Sequence, residues 1–191
     1  VLDDKMNSVF STDVILPECM SADTARDIYI VNELGGVLIN CYGEERNSTG
    51  YYKHWPYLTA ISHDGKNVQQ YIPKMADDKF LTIRNVNFGF HKDGTFFMAG
   101  YYAQETRKTT YGAAGTYYYC PAKNVEQITF NPFSAELISE NGSDAYKEWV
   151  KKKEEKNEMP AIPELSEHTI YATDDGAIYI IGEEQRTHNH T

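Results

Sequence analysis

Lys66-Asn67-Val68-Gln69-Gln70 returns as Lys123-Asn124-Val125-Glu126-Gln127, and Gly43 returns as Gly100, both at a distance of 57 residues. Outward from each copy the pattern is the same. A short apolar run, a tight glycine turn and a second run ending in glycine come first. A further pair of runs follows, joined by a polar turn. Val37 to Gly43 closes the first such hairpin, after Asp27 to Val31 and the Leu34-Gly35-Gly36 turn. Val86 to Phe90, Lys92-Asp93-Gly94 and Thr95 to Gly100 form the second, and His168 to Ala172, Asp174-Asp175-Gly176 and Ala177 to Gly182 the third. Glycine after aspartate permits the positive φ that a tight hairpin turn needs. Tyr57 to Ser62, His63-Asp64-Gly65-Lys66 and Asn67 to Pro73 then match Gly115 to Cys120, Pro121-Ala122-Lys123 and Asn124 to Pro132. One unit is therefore four antiparallel strands, a to d.

The third hairpin begins 82 residues after the second, 25 more than the period, so an insertion is expected between them. Ser143 to Asn157 supplies it as a helix: Ser143 suits the cap, Asp144 the positive end of the dipole, Glu148 precedes Lys152 by one turn, and Pro160 follows the end. Its apolar stripe, Tyr146, Trp149 and Val150, is narrow, which places the helix on the surface with one side docked.

Composition agrees with strands. Aromatic residues make up 13% of the 191 residues, 15 of them tyrosine, and such side chains favour a pleated, half-buried surface. A net charge of -10 without a basic patch argues against nucleic acid as a partner. No apolar run is long enough to span a membrane as a helix. The Val1-Leu2-Asp3-Asp4 start has no signal-peptide pattern and reads as a processed end. Cys19, Cys41 and Cys120 stand far apart without metal-ligand spacing, which leaves buried thiols or one disulfide.

Four-stranded units repeating at this period have the form of β-propeller blades. The segments Asp93-Gly94-Thr95-Phe96-Phe97-Met98-Ala99-Gly100-Tyr101-Tyr102 and Asp175-Gly176-Ala177-Ile178-Tyr179-Ile180-Ile181-Gly182 resemble the blades of secreted bacterial β-propeller repeat proteins, in particular propeller-like proteins of Bacteroidetes-type bacteria. The resemblance covers about residues 27 to 185 and implies an all-β propeller-like array and a secreted, periplasmic or cell-surface home. It carries over no catalytic residue. The Trp-Asp and Gly-His pairs of WD40 blades are absent, and no kelch-type Gly-Gly with spaced aromatics stands in every copy. A two-sheet β-sandwich is the alternative fold.

The expected organisation is one partial propeller domain over 1–191: blade one at about 27–73, blade two at about 85–132, the helical insertion at about 143–160 and the start of blade three at about 168–191. A propeller of four to eight blades needs about 230 to 460 residues at this period. The chain is thus expected to be part of a longer protein, or to be completed by a partner chain.

Sorting the connections by end puts the short a–b and c–d turns together and the long ones, Glu44 to Pro56, Tyr101 to Ala114 and Phe133 to Glu167, at the other end. Function is expected at that long-loop end. Tyr51, Tyr52, His54, Trp55, Tyr101, Tyr102, Gln104 and Tyr111 are its candidate ligand-binding residues, because aromatic planes beside amide and hydroxyl groups suit a glycan, peptide or protein. The same residues equally suit pinning long loops to the sheets. Glu44, Glu45, Glu183 and Glu184 follow a repeated glycine and form the one catalytic alternative, a glycoside hydrolase or lyase, if two carboxylates approach within about 5–9.5 Å.

No cofactor or metal is expected. Asp64, Asp93, Asp174 and Asp175 are explained by turns, His188 and His190 lack a third ligand, and no nucleophile motif occurs. The sequons at Asn47, Asn141 and Asn189 mark exposed loops. The leading expectation is a non-catalytic extracytoplasmic binding module, with a structural subunit completed by a partner as a further alternative.

Overall fold

A computed structural model describes residues 5–8, 11, 13, 29–31, 36–46, 48, 51–75, 81–83, 86–91, 95–106, 112–121, 127–140, 142–163 and 165–184, without the side chains of 29–31, 44–46, 51–54, 105–106 and 166–168. These residues are mostly β, in several antiparallel sheets, none closed, with two helices. The chain divides into two compact units, residues 1–44 with 54–74 and residues 45–53 with 75–191.

In the first unit β1 (Tyr29–Val31), β2 (Val37–Arg46), β3 (Tyr51–Ile61) and β4 (Val68–Tyr71) lie side by side in chain order. Leu38, Cys41, Leu58 and Ile61 are buried there. The β3–β4 turn shows how the Asp-Gly pair works. Asp64 Oδ1 accepts from the Ser62 hydroxyl at 2.6 Å and from Lys66 N–H at 3.1 Å, while Gly65 takes a φ of 70° that disfavours any side chain.

The second unit is built around β7 (Phe96–Ala103). β6 (Asn87–Phe90) pairs with one edge of it, and β5 (Thr82–Ile83) continues that edge after a one-residue slip in register. β10 (Gly115–Tyr119) takes the other edge, with β11 (Thr129–Pro132) beyond it. The strands β6, β7, β10 and β11 thus form a second meander of four. Of the short strands, β8 (Glu105–Thr106) pairs with Tyr51 and Tyr52, and β9 (Gly112–Ala113) with β12 (Ile162–Pro163).

Two expectations about connections are corrected. The described residues of 44–56 and 101–114 are largely strand: β2 runs on to Arg46, β3 starts at Tyr51, and β7 reaches Ala103. At Tyr101 and Tyr102 the physical reason is burial, since paired tyrosines suit a pleated strand buried on both faces better than an exposed loop. Tyr101 packs edge-on to Phe133 at 6.1 Å and Tyr102 edge-on to Phe130 at 4.9 Å, so successive side chains of β7 fill opposite sides of the sheet.

The connection from Phe133 holds α1 (Ala135–Ser139), which the periodicity does not signal, and α2 (Asp144–Glu155). Ser134 and Ser143 cap them, accepting from Leu137 N–H at 3.1 Å and Tyr146 N–H at 3.3 Å. Lys152 and Glu148 pair at 2.7 Å on the exposed side of α2. Val150 is buried, Tyr146 is half-buried with its hydroxyl donating to the Ala161 carbonyl at 2.8 Å, and Trp149 stacks on Tyr146 but stays 40% exposed. The helix is docked along one narrow side.

β13 (Leu165–Ala172) and β14 (Ile178–Glu184) form a separate hairpin. Its turn repeats the device of the first unit: Asp175 Oδ1 accepts from the Thr173 hydroxyl and from Ala177 N–H, and Gly176 has a φ of 87°. Asn87↔Ala99, Phe88↔Met98, Gly89↔Phe97 and Phe90↔Phe96 in β6–β7 become Thr169↔Ile181, Ile170↔Ile180, Tyr171↔Tyr179 and Ala172↔Ile178 in β13–β14, all at the offset of 82 read from the sequence. Even the slip recurs, between Glu167 and Thr169.

Because strand side chains alternate, the hairpin has two unlike faces. Ile170, Ala172, Ile178 and Ile180 pack against Phe97, Ala99 and Cys120 of the meander, next to Tyr118. Phe97 and Cys120 have no exposed surface at all. Full burial of an isoleucine stabilises by roughly 1.5–3 kcal/mol, and the half-buried Ile170, Ile178 and Ile180 each gain part of that in anchoring the hairpin.

Candidate functional site

Of the residues expected to bind ligand, the described side chains serve mainly packing. Tyr101 and Tyr102 are core side chains, and burial pushes the Tyr102 phenol up to about 12. Gln104 is half-buried between β7 and β8. Trp55 is half-buried and lies over Gly43, where a Cβ would stand 2.5 Å from the indole, and it meets Tyr57 edge-on at 6.3 Å. Glycine at 43 is what lets the indole lie flat on β2. For Trp55, Tyr101 and Tyr102 the aromatic area serves packing. The side chains of Tyr51, Tyr52 and His54, and Tyr111 entirely, lie outside the described residues.

The glutamates divide similarly. Glu183 is exposed and Glu184 half-buried as neighbours on β14. The side chains of Glu44 and Glu45 lie outside the described residues, and so does the separation on which glycosidase geometry depends. Asp64 and Asp175 are turn residues whose carboxyls sit below the usual range, held there first by the Ser62 and Thr173 hydroxyls and then by backbone N–H groups. No group of three His, Cys, Asp or Glu side chains suited to a metal occurs among the described residues. Asp93, His188, His190, Cys19 and the three sequon asparagines fall outside them. Cys41 and Cys120 are buried free thiols, and burial pushes the Cys41 thiol up. Among the described residues no helix is long and apolar enough to cross a membrane.

Two surface features stand apart from these expectations. In the first unit an open cleft of about 300 Å³ is lined by Gly36, Ala60, Ile61, Ser62, His63, Asn67 and Gln69. It lies beside the short β3–β4 turn. Its polar lining is partly engaged already, since the Ser62 hydroxyl bonds Asp64 and accepts from Asn67 N–H at 3.0 Å.

The second feature is the outer face of β13–β14. Tyr171 and Tyr179 stand opposite one another in register with ring centroids 5.2 Å apart and planes 13° from parallel. They are 47% and 50% exposed, and Ile181, two residues along β14, is 46% exposed. The backbone beneath them is fixed by the packed inner face and by the capped Asp-Gly turn. Two stacked phenols and an isoleucine held on a rigid ribbon combine apolar area with hydroxyl tips and little rotamer freedom, the composition of a recognition surface. Its sequence signal was the alternation of Tyr179 and Ile181 with Ile178 and Ile180, which marks two apolar faces where a one-sided strand needs one. No family model, curated protein or solved structure matches this chain.

Proposed function

We propose that the chain is a non-catalytic binding module that recognises a protein partner through the Tyr171, Tyr179 and Ile181 face. The observation that carries this reading is the solvent exposure of that stacked pair on a hairpin whose other face is partly buried against Phe97, Ala99 and Cys120. A protein suits the face better than a glycan. Each tyrosine ring already covers one plane of the other, so what the pair offers upward is ring edges and hydroxyls in place of a free flat platform for a sugar.

The finer architecture belongs to the same proposal. The two meanders and the hairpin are read as blades of a propeller-like array, supported by the shared register at the 82-residue offset and by the face-on packing of β13–β14 against β6–β7. A secreted, periplasmic or cell-surface home follows from the resemblance to secreted bacterial propellers alone.

The test is affinity capture from extracts of the cells that make the protein, with the intact chain, a Tyr171→Ser/Tyr179→Ser/Ile181→Ser variant and a remote Trp149→Ser control. A partner held by the intact chain and by the control, and lost by the triple variant, is the expected result. Retention by the triple variant, with its fold verified by circular dichroism, would move recognition to another surface.

A further inference from the structure

We infer that the Tyr171, Tyr179 and Ile181 face takes a β-strand segment of a partner protein that sets branched aliphatic side chains at alternate positions between lysine or arginine residues. The inference rests on the reading of this face as a protein-recognition surface and adds the chemistry of what it recognises. Two observations point there.

The first is the continuation of an interface already present in the molecule. At the 82-residue offset the positions of Tyr171, Tyr179 and Ile181 correspond to Gly89, Phe97 and Ala99. That counterpart face is covered, and what covers it is a β-hairpin offering Ile170, Ala172, Ile178 and Ile180 two residues apart. The outer face of β13–β14 repeats the same register positions one layer further out, with the stacked Tyr171–Tyr179 pair in place of the Phe97 ring over Gly89. Tyr179 and Ile181 lie about 7 Å apart along the strand, the spacing of alternate side chains on any strand laid over them. The two phenol hydroxyls add a requirement that Phe97 does not: a partner that buries the rings has to meet them with hydrogen-bonding groups.

The second is charge. Between Leu165 and Glu184 the hairpin carries Glu167, Asp174, Asp175, Glu183 and Glu184 and neither lysine nor arginine. Asp174 and Asp175 are exposed at one end of the ribbon and Glu183 at the other. Basic residues flanking an apolar strand would meet both ends and donate to the tyrosine hydroxyls. A second copy of this chain is a poor occupant on the same grounds. Its own aliphatic hairpin face is already seated on Phe97, and each copy brings a net charge of -10.

The experiment titrates a labelled peptide, Lys-Ile-Thr-Ile-Thr-Ile-Lys, into the intact 191-residue chain by fluorescence anisotropy. Two control peptides carry glutamate for lysine or serine for isoleucine. The expected result is binding of the first peptide that weakens about tenfold or more in a Tyr171→Ser/Tyr179→Ser variant. Binding should also weaken as salt rises from about 50 to 500 mM, and it should be unchanged in Trp149→Ser. An Ile181→Lys variant gives a second, independent disruption should the double variant lose its fold.

No binding up to about 1 mM, equal binding of the glutamate peptide, or full affinity in both face variants would overturn the inference. Sedimentation showing a dimer of the intact chain that the tyrosine substitutions dissolve would overturn it in favour of a second copy. A captured partner whose contact segment is helical or acidic would overturn it while leaving the recognition face standing. Capture that ignores the face variants would instead sink the underlying reading.

Discussion

In the β6–β7 hairpin Gly89 faces Phe97, and a Cβ at 89 would fall within the Phe97 ring, so the ring lies flat across the neighbouring strand. In the β13–β14 hairpin the two corresponding places hold Tyr171 and Tyr179, and both rings stand up and stack. The backbones share register, slip and turn length, yet Phe97 and Ala99 are buried while Tyr171, Tyr179 and Ile181 are about half exposed. A flat ring over a glycine makes a smooth floor on which an aliphatic ribbon can settle with few voids. Two standing rings make a ridge with polar tips. The comparison teaches that one strand register, filled with different side chains, yields a buried layer in one copy and a half-exposed face in the other.

The sharpest way to break this comparison is to truncate both rings. Phe97→Ala empties the centre of the packed layer and should destabilise the protein by about 3–5 kcal/mol, whereas Tyr179→Ala should lie within about 1 kcal/mol of the parent. Denaturant unfolding of the two variants compares them directly. Equal losses would mean that the two faces do not differ in kind.

Substituting the glycine tests the flat ring itself. Gly89→Ala forces the Phe97 ring out of position and should lose about 1–3 kcal/mol, while the corresponding Tyr171→Ala leaves stability nearly unchanged. A neutral Gly89→Ala would show that the ring moves freely, against its burial. Smaller again is Gly176→Ala in the β13–β14 turn, where a φ of 87° should make the loss about 1 kcal/mol in thermal unfolding. Nothing lies within 4 Å of the added carbon, so conformation alone sets the effect.

The smallest effect concerns pH and compares the two Asp-Gly turns. The folded carboxyls of Asp64 and Asp175 are held below their ordinary value of 3.8, chiefly by a hydroxyl hydrogen bond in each turn. A depressed carboxyl contributes stability that is present above its unfolded value and is lost as pH falls through the folded one. Acid unfolding below that range should therefore become less steep in Asp64→Asn and in Asp175→Asn, by similar amounts. An unchanged profile in both would remove the hydrogen bonds from the account.

Much of this architecture was legible in local chemistry. Asp-Gly pairs at 64–65 and 175–176 announced their turns because the carboxylate and the positive φ act within a few residues. Ser143, Glu148 and Lys152 announced α2 for the same reason. The five-residue α1 was missed because it is too short to show a period, although Ser134 caps it as Ser143 caps α2. Tyr101 and Tyr102 were read as loop residues although they belong to β7 and are buried. Tyr101 and Tyr102 look alike on paper whether they decorate a loop or fill two sides of a sheet, and the partners that decide it, Phe133 and Phe130, lie about thirty residues away.

By itself the sequence determined the repeat, its 82-residue offset, the turns and the inserted helix, since all of these follow from interactions between near neighbours along the chain. Which apolar face of β13–β14 is buried was decided only in three dimensions. Ile170 to Ile180 and Tyr171 to Ile181 offer comparable apolar area, and only the first meets Phe97, Ala99 and Cys120, contributed by strands more than fifty residues earlier in the chain. Hydrophobic burial is non-directional and rewards whichever face finds a complementary surface. The face proposed for recognition is the one left without such a surface among the described residues.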